Sequence, residues 1–207
     1  MIKKLELENL FYDRVKNEIG ELDISGKVNT KNFNLKRLLG QKKLGYLSFS
    51  GKLNSKTNKK QFLLDMQGES SRFDFNNYSY TGIKVDGQMT PKEFHGSLSV
   101  LDSNLIMDFK GGINYSKKIQ EYRFKAHVQK ANLQQLHILD RDSSTTVSCD
   151  LAIDLAGNSV KDIHGSLEIQ DFDWFEKGKH HHFYTTSIKS IKTSEKELLS
   201  VNSDWFV

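Results

Sequence analysis

Three consecutive histidines, His180-His181-His182, form the one grouping in this 207-residue chain whose residue types suit a transition metal. Imidazole is a ligand for zinc, copper and nickel, and on a strand His180 and His182 would share one face. Spacing indicates no third or fourth ligand, and Lys177 and Lys179 alongside would oppose a cation. The expected setting is an exposed loop or the start of a strand, and no metal is assigned. Asp102-Ser103-Asn104 through Asp108 has the opening spacing of a calcium loop, but Met107 and Ile113 stand where its glycine and final glutamate belong. That stretch reads as a tight hairpin turn. Cys149 falls on the apolar parity of Val147-Ser-Cys149-Asp-Leu151-Ala-Ile153 and reads as a small buried hydrophobe. His95, His127 and His164 fall on polar parity and are expected to face solvent.

The motifs of common catalytic sites are absent from the sequence. There is no Gly-x-Ser-x-Gly elbow, no Gly-x-Gly-x-x-Gly opening a helix and no Gly-Lys-Ser/Thr phosphate loop. Carboxylates are numerous, yet no spacing singles out an acid and base pair. The chain is therefore not expected to be an enzyme, and no cofactor is implied. Thirty Lys and Arg against 26 Asp and Glu give a net charge of +4 with the signs interleaved, which is no nucleic-acid footprint. One cysteine permits no internal disulfide and leaves the redox compartment open. Charges at every second or third position of Met1-Ile-Lys-Lys-Leu-Glu-Leu-Glu exclude a signal peptide there, and no stretch approaches the ~18 apolar residues of a membrane span.

What positions these residues is a recurring strand signature of glycine, one variable residue and an aliphatic residue. It occurs at Gly20, Gly26, Gly45, Gly51, Gly87, Gly96, Gly111 and Gly165. Because side chains two apart point the same way, each glycine is expected to sit in the apolar row of its strand and to leave a gap there. Alternation is clear in Leu22-Ile24-Gly26-Val28, Leu47-Phe49-Gly51-Leu53, Phe62-Leu64-Met66 and Ile83-Val85-Gly87-Met89. It continues in Phe94-Gly96-Leu98-Val100, Leu105-Met107-Phe109-Gly111-Ile113, Tyr122-Phe124-Ala126-Val128, Val147–Leu155 and Ile163–Ile169. About ten to twelve antiparallel strands follow. Polar turns, one holding the only proline, Pro91, make sequence neighbours hairpin partners.

Two segments break the period of two. Asn32–Gly40 has an asparagine cap, apolar residues three and four apart and a closing glycine, which predicts a short helix. Asn132–Leu139 repeats the pattern, so a weak repeat boundary is expected near 130–140 within a single segment, 1–207. Leu5-Leu7 suggests a strand while Leu10, Phe11 and Val15 allow a helical turn, and Lys189–Val207 alternates poorly, ending as though cut inside an element. The hydrophobic fraction of 37% suits a sheet that is wet on one side. Such a sheet can close into a barrel, pack as a sandwich, accept helices or fold into a trough, and composition and period leave these open.

The ordered series Asn32-Phe-Asn-Leu-Lys-Arg-Leu-Leu-Gly40, Leu44-Gly-Tyr-Leu-Ser-Phe-Ser-Gly51, and Asn77-Tyr78-Ser-Tyr80 with Ile83, Gly87, Phe94, Gly96, Leu98, Asp102, Asn104-Leu105, Asp108-Phe109, Gly111 and Ile113 resembles the TamB-like proteins of Bacteroidetes-type bacteria, within the AsmA-like group. Phe124-x-Ala126, Ala131-Asn-Leu133 with Leu136, Asp154-Leu-x-Gly157 and Asp162-x-x-Gly165 extend the resemblance, which runs from about residue 20 to 175. Ser103 and Asn132 depart from the family's usual proline and aspartate, both at turn or cap positions. The family's membrane anchor, most of its repeats and its terminal domain have no counterpart here, so the resemblance implies an internal fragment of a longer envelope protein.

The resemblance implies an all-β fold: a long curved antiparallel sheet forming a groove or half-barrel, the β-taco, with one or two short helical turns. It implies a periplasmic location, inner-membrane anchoring of the full-length protein, phospholipid acyl chains as cargo and an Omp85-type outer-membrane protein as partner. The expected groove lining is Leu47, Phe49, Leu64, Met66, Val85, Leu98 and Val100, then Leu105, Met107, Phe109, Ile113, Phe124, Val128, Leu151, Ile153, Leu167 and Ile169. Two other readings stand beside it. One is a scaffold that pairs strand edges with a β-rich partner; the other is a plain structural sandwich.

Overall fold

The computed structural model describes residues 5–13, 22–39, 42–57, 62–90, 92–115, 118–139, 145–158, 162–192 and 197–204. Pro91, Val15, Gly20, Gly40 and Trp205–Val207 lie outside these residues. The chain divides into two compact units, Met1–Asp102 and Ser103–Val207, each an open, curved antiparallel sheet that does not close into a barrel. The expected all-β class with almost no helix is what the structure shows. No helix among the described residues is long and apolar enough to cross a membrane.

Unit 1 contains β1 (Leu5–Asp13), β2 (Leu22–Thr30), β3 (Phe33–Asn34), α1 (Leu35–Leu39), β4 (Leu44–Thr57), β5 (Phe62–Phe75), β6 (Tyr78–Tyr80), β7 (Ile83–Thr90) and β8 (Glu93–Leu101). Its strands run in the order β1-β2-β4-β5-β7-β8, with β3 on β4 and β6 on β5. Unit 2 is a plain meander of β9 (Leu105–Asn114), β10 (Glu121–Asn132), β11 (Thr145–Ala156), β12 (His164–Glu176), β13 (Lys179–Lys192) and β14 (Glu197–Ser203). Nine of these fourteen strands follow the clear alternation, and β13 lies beyond its last member, Ile163–Ile169. The remaining four are the short β3 and β6, and β1 and β14 in the two segments of uncertain period.

Turn chemistry fixes several registers. Asn76-Asn77 (φ 50 and 65) and Lys177-Gly178 (φ 52 and 75) have positive φ at both central positions, the pattern of a type I′ turn that matches the strand twist. They pair Phe75 with Tyr78 and Glu176 with Lys179. Both expected helical segments form one turn. In α1, Asn34 Oδ1 accepts from the Arg37 amide at 2.9 Å. In the second, Asn132 Oδ1 accepts from the Gln135 amide at 3.2 Å, and the turn ends on His137 at φ 55. The amides of His137 and Ile138 then donate to Gln134 O and Leu133 O, a Schellman closure with histidine where glycine is usual.

Bulges interrupt the alternation in both units. The β4–β5 register shifts between Ser48 and Phe49, that of β10 after Val128, and the β11–β12 register between Ser148 and Asp150. At the last of these Asp171 has φ 47, and the apolar parity of β12 changes from Leu167 and Ile169 to Phe172 and Trp174. An extra residue on one strand does this, because a shift of one exchanges the faces.

The glycines do not all leave gaps. Gly51 and Gly68 face one another across β4 and β5, and the space a Cβ would take holds the tip of the Phe49 ring, 2.7 and 2.6 Å from the two ideal positions. Phe94 likewise approaches Gly87, itself paired with Gly96. Gly45 is not in the apolar row, because the irregular pairing between Leu44 and Leu47 turns it toward the Asp74 side chain.

Candidate functional site

Cross-strand pairing carries the apolar face across each sheet in transverse rows. In unit 1 one row runs Val28–Gly51–Gly68–Val85–Leu98 and the next Gly26–Leu53–Met66–Gly87–Gly96. Further rows join Leu64 with Met89 and Phe94, Leu47 with Phe73 and Tyr80, and Phe49 with Ser70, Ile83 and Val100. In unit 2 the rows cross up to six strands. One runs Gly111–Phe124–Ile153–Leu167–Ile188–Val201, its neighbours are Phe109–Ala126–Leu151–Ile169–Thr186 and Ile113–Tyr122–Leu155–Gly165–Ser190–Leu199, and Val128 pairs with Met107 on one side and Cys149 on the other.

Burial is uneven along these faces. Phe49, Val100 and Val128 are buried, as are Ile83, Ala126, Ala131, Val147 and Cys149, so these side chains are core. The other fourteen residues expected to line a groove, from Leu47 to Ile169, are partly exposed. Leu105 completes a row with Ala131 and Val147 beside the Asn132–Leu139 turn, whose Leu136 is 1% exposed. Toward β14 the face opens, with Val201 50% and Leu199 69% exposed. Leu53, Ile83, Met89, Phe94, Tyr122 and Ile188 share these rows although the expected lining left them out; each falls on the parity of its strand.

The opposite face is polar and cross-linked. Lys84 meets Glu69 at 3.4 Å, Arg123 meets Asp154 at 3.2 Å and His127 Nδ1 meets Asp150 at 2.6 Å. Arg72 donates to both Asp74 oxygens at 2.8 Å, Ser79 and the Tyr46 amide also donate to that carboxylate, and Arg72 holds the Asp74 carboxyl below its usual range. His95 and His127 are exposed as expected, but His164 is half-buried with Nδ1 3.2 Å from Asp162 O.

Asp102 is turned inward, 5% exposed, and accepts from Tyr78 OH and, at 3.0 and 2.7 Å, from the amide and hydroxyl of Thr81. Its carboxylate closes the β6–β7 connection and is not arranged for calcium, whereas Asp108 is exposed on β9. Burial pushes the Cys149 thiol up to about 11, which makes it an inert core group.

Searches among family models, curated proteins and solved structures found no match to this chain. Its own geometry carries the argument.

One grouping departs from what spacing indicates. His180 and His182 lie at the start of β13, and β12 supplies the missing third donor, Asp173, opposite His182. Asp173 Oδ1 is 2.5 Å from His180 Nε2 and 2.9 Å from His182 Nδ1. Lys179 is paired with Glu176 and, one residue from His180, belongs to the other face. The expected opposition from Lys179 is thereby removed. The register was obtainable from the Lys177-Gly178 turn, since counting outward from a two-residue hairpin reaches Asp173 and His182 together.

Proposed function

We propose that the chain is a β-groove segment of a TamB-like envelope protein that carries phospholipid acyl chains along its apolar face across the periplasm. In the whole protein this segment also supports outer-membrane protein assembly with an Omp85-type partner. The reading rests on one observation: apolar rows such as Gly111–Phe124–Ile153–Leu167–Ile188–Val201 cross several strands with no polar residue, and their members stay partly exposed or, at Val201, open. Full burial of a Leu or Ile is worth roughly 2 kcal/mol, so each partly exposed member forgoes a share that an apolar occupant would restore. The occupant gains about 0.8 kcal/mol for each methylene it buries, and an uninterrupted row lets a chain move without crossing a polar barrier. The residues act as a solvent for acyl chains and need no catalytic group.

Photocrosslinking amino acids at Leu98, Met107 and Phe124 should capture phospholipid in cells, while the same probes at His95 and Lys125 on the polar face should not. Equal capture at the two sets removes the reading.

A second reading, an edge-pairing scaffold for a β-rich partner, is favoured by β14. Among the described residues β14 pairs only with β13, and its Leu198, Leu199 and Val201 are exposed. Proline substitutions at Leu199 and Ser200 would then abolish partner capture and leave lipid crosslinks intact.

A further inference from the structure

We propose that Asp173, His180 and His182 form a binding site for a divalent first-row cation of the zinc type, on the polar face of unit 2. Two imidazole nitrogens and one carboxylate oxygen lie within 4.8 Å of one another. Metal-ligand bonds of ~2.0–2.2 Å at tetrahedral angles separate donors by roughly 3.4 Å. The two oxygen-nitrogen separations, 2.5 and 2.9 Å, are within 1 Å of that spacing. To bind the cation each neutral ring would turn to it the lone pair of the nitrogen now facing Asp173, with its N–H on the other ring nitrogen, and the donors would part slightly. Two neutral imidazoles and a carboxylate give the site one negative charge, and this donor set selects zinc over calcium or magnesium, which prefer all-oxygen cages.

The donors are held from behind. Phe175 stacks flat on the His180 ring, at 4.2 Å and an interplanar angle of 2°, and the Tyr184 ring meets His182 edge-on at 4.6 Å. Ser148 Oγ donates to the other oxygen of Asp173 at 3.4 Å, which leaves Oδ1 turned toward both rings. Supports of this kind orient ligands in metal sites. The bulge at Asp171 is what makes the site: with the odd parity of Leu167 and Ile169 continued, Asp173 would fall in the apolar row. The donor side chains are 49%, 32% and 27% exposed for His180, His182 and Asp173, so an ion can enter and a fourth position faces solvent. A bound ion would cross-link β12 to β13 on the face opposite the apolar rows, and the site stands whether or not those rows carry lipid.

Titrating the full chain with Zn(II) by calorimetry, and with Co(II) followed by its visible absorption, tests the site. One ion per chain is expected, with affinity weakened at least about tenfold by His180→Ala, His182→Ala and Asp173→Asn. His181→Ala, on the other face, should bind as the parent does, and circular dichroism should show equal sheet content in every variant. Absence of saturable binding overturns the site. So does an equal loss for His181→Ala and His182→Ala, or undiminished binding by Asp173→Asn, either of which would mark an unstructured histidine effect.

Discussion

In unit 1 four glycines of the apolar face form two cross-strand pairs at an aromatic ring, Gly51 with Gly68 under Phe49 and Gly87 with Gly96 beside Phe94, while Gly26 faces Leu53. In unit 2 they stand singly and carry positive φ, +144° at Gly111 and +121° at Gly165, opposite Phe124 and Leu155. Both arrangements let a one-sided sheet bend, but they put the sensitivity in different places. A ring over paired glycines makes the packing depend on one large side chain, whereas a glycine at positive φ makes the backbone itself intolerant of any Cβ. The same chain thus solves one mechanical problem once with side-chain volume and once with backbone conformation.

The comparison is most exposed at the rings. Phe49→Ala removes a buried ring and should lower unfolding stability by about 4 kcal/mol in urea titration. Phe124→Ala, at a partly exposed ring, should cost about 2 kcal/mol. Equal losses would erase the distinction. The next effect is at the backbone. Gly165→Ala should cost about 3 kcal/mol, since the new methyl meets the Asp154 carbonyl as well as an unfavourable φ. Gly178→Ala, at φ +75° with open space around it, should cost about 1 kcal/mol from conformation alone. If the two glycines respond alike, close approach contributes nothing at Gly165. The smallest effect is electrostatic and belongs to unit 1. The carboxyl of Asp74 is depressed below 3.8, so its contribution is present at neutral pH and is lost as pH falls below about 4. With Arg72 41% exposed, the loss between pH 7 and pH 3 should stay under about 1 kcal/mol and should vanish in Asp74→Asn.

Much of this fold is legible in the sequence because period-two alternation reports strands directly, and Asn34 and Asn132 mark the two helical turns by capping chemistry. What alternation does not report is where it stops being continuous. After Val128 and at Asp171 a single extra residue exchanges the faces, so parity counted from Leu167 assigns Asp173 to the wrong side. The extra residue between Leu44 and Leu47 takes Gly45 out of the apolar row in the same way. The fourteen partly exposed residues of the apolar rows follow from parity, while the burial of Phe49, Val100 and Val128 does not, because it depends on what covers the ends of the rows. The third donor beside His180 and His182 comes from a neighbouring strand. Only the Lys177-Gly178 turn, read as a type I′ hairpin, ties the two together.

Strand order in each unit has a bearing on how the protein is made. Every long strand pairs with the next long strand along the chain, so the loops to be closed are short and no segment waits for a distant partner. Tight turns at Asn76-Asn77 and Lys177-Gly178 can start hairpins locally, and each finished strand offers its edge to the one that follows. A chain of this kind can assemble in step with its emergence from a ribosome or a translocation channel, one strand at a time, and at any moment exposes little more than a single growing edge.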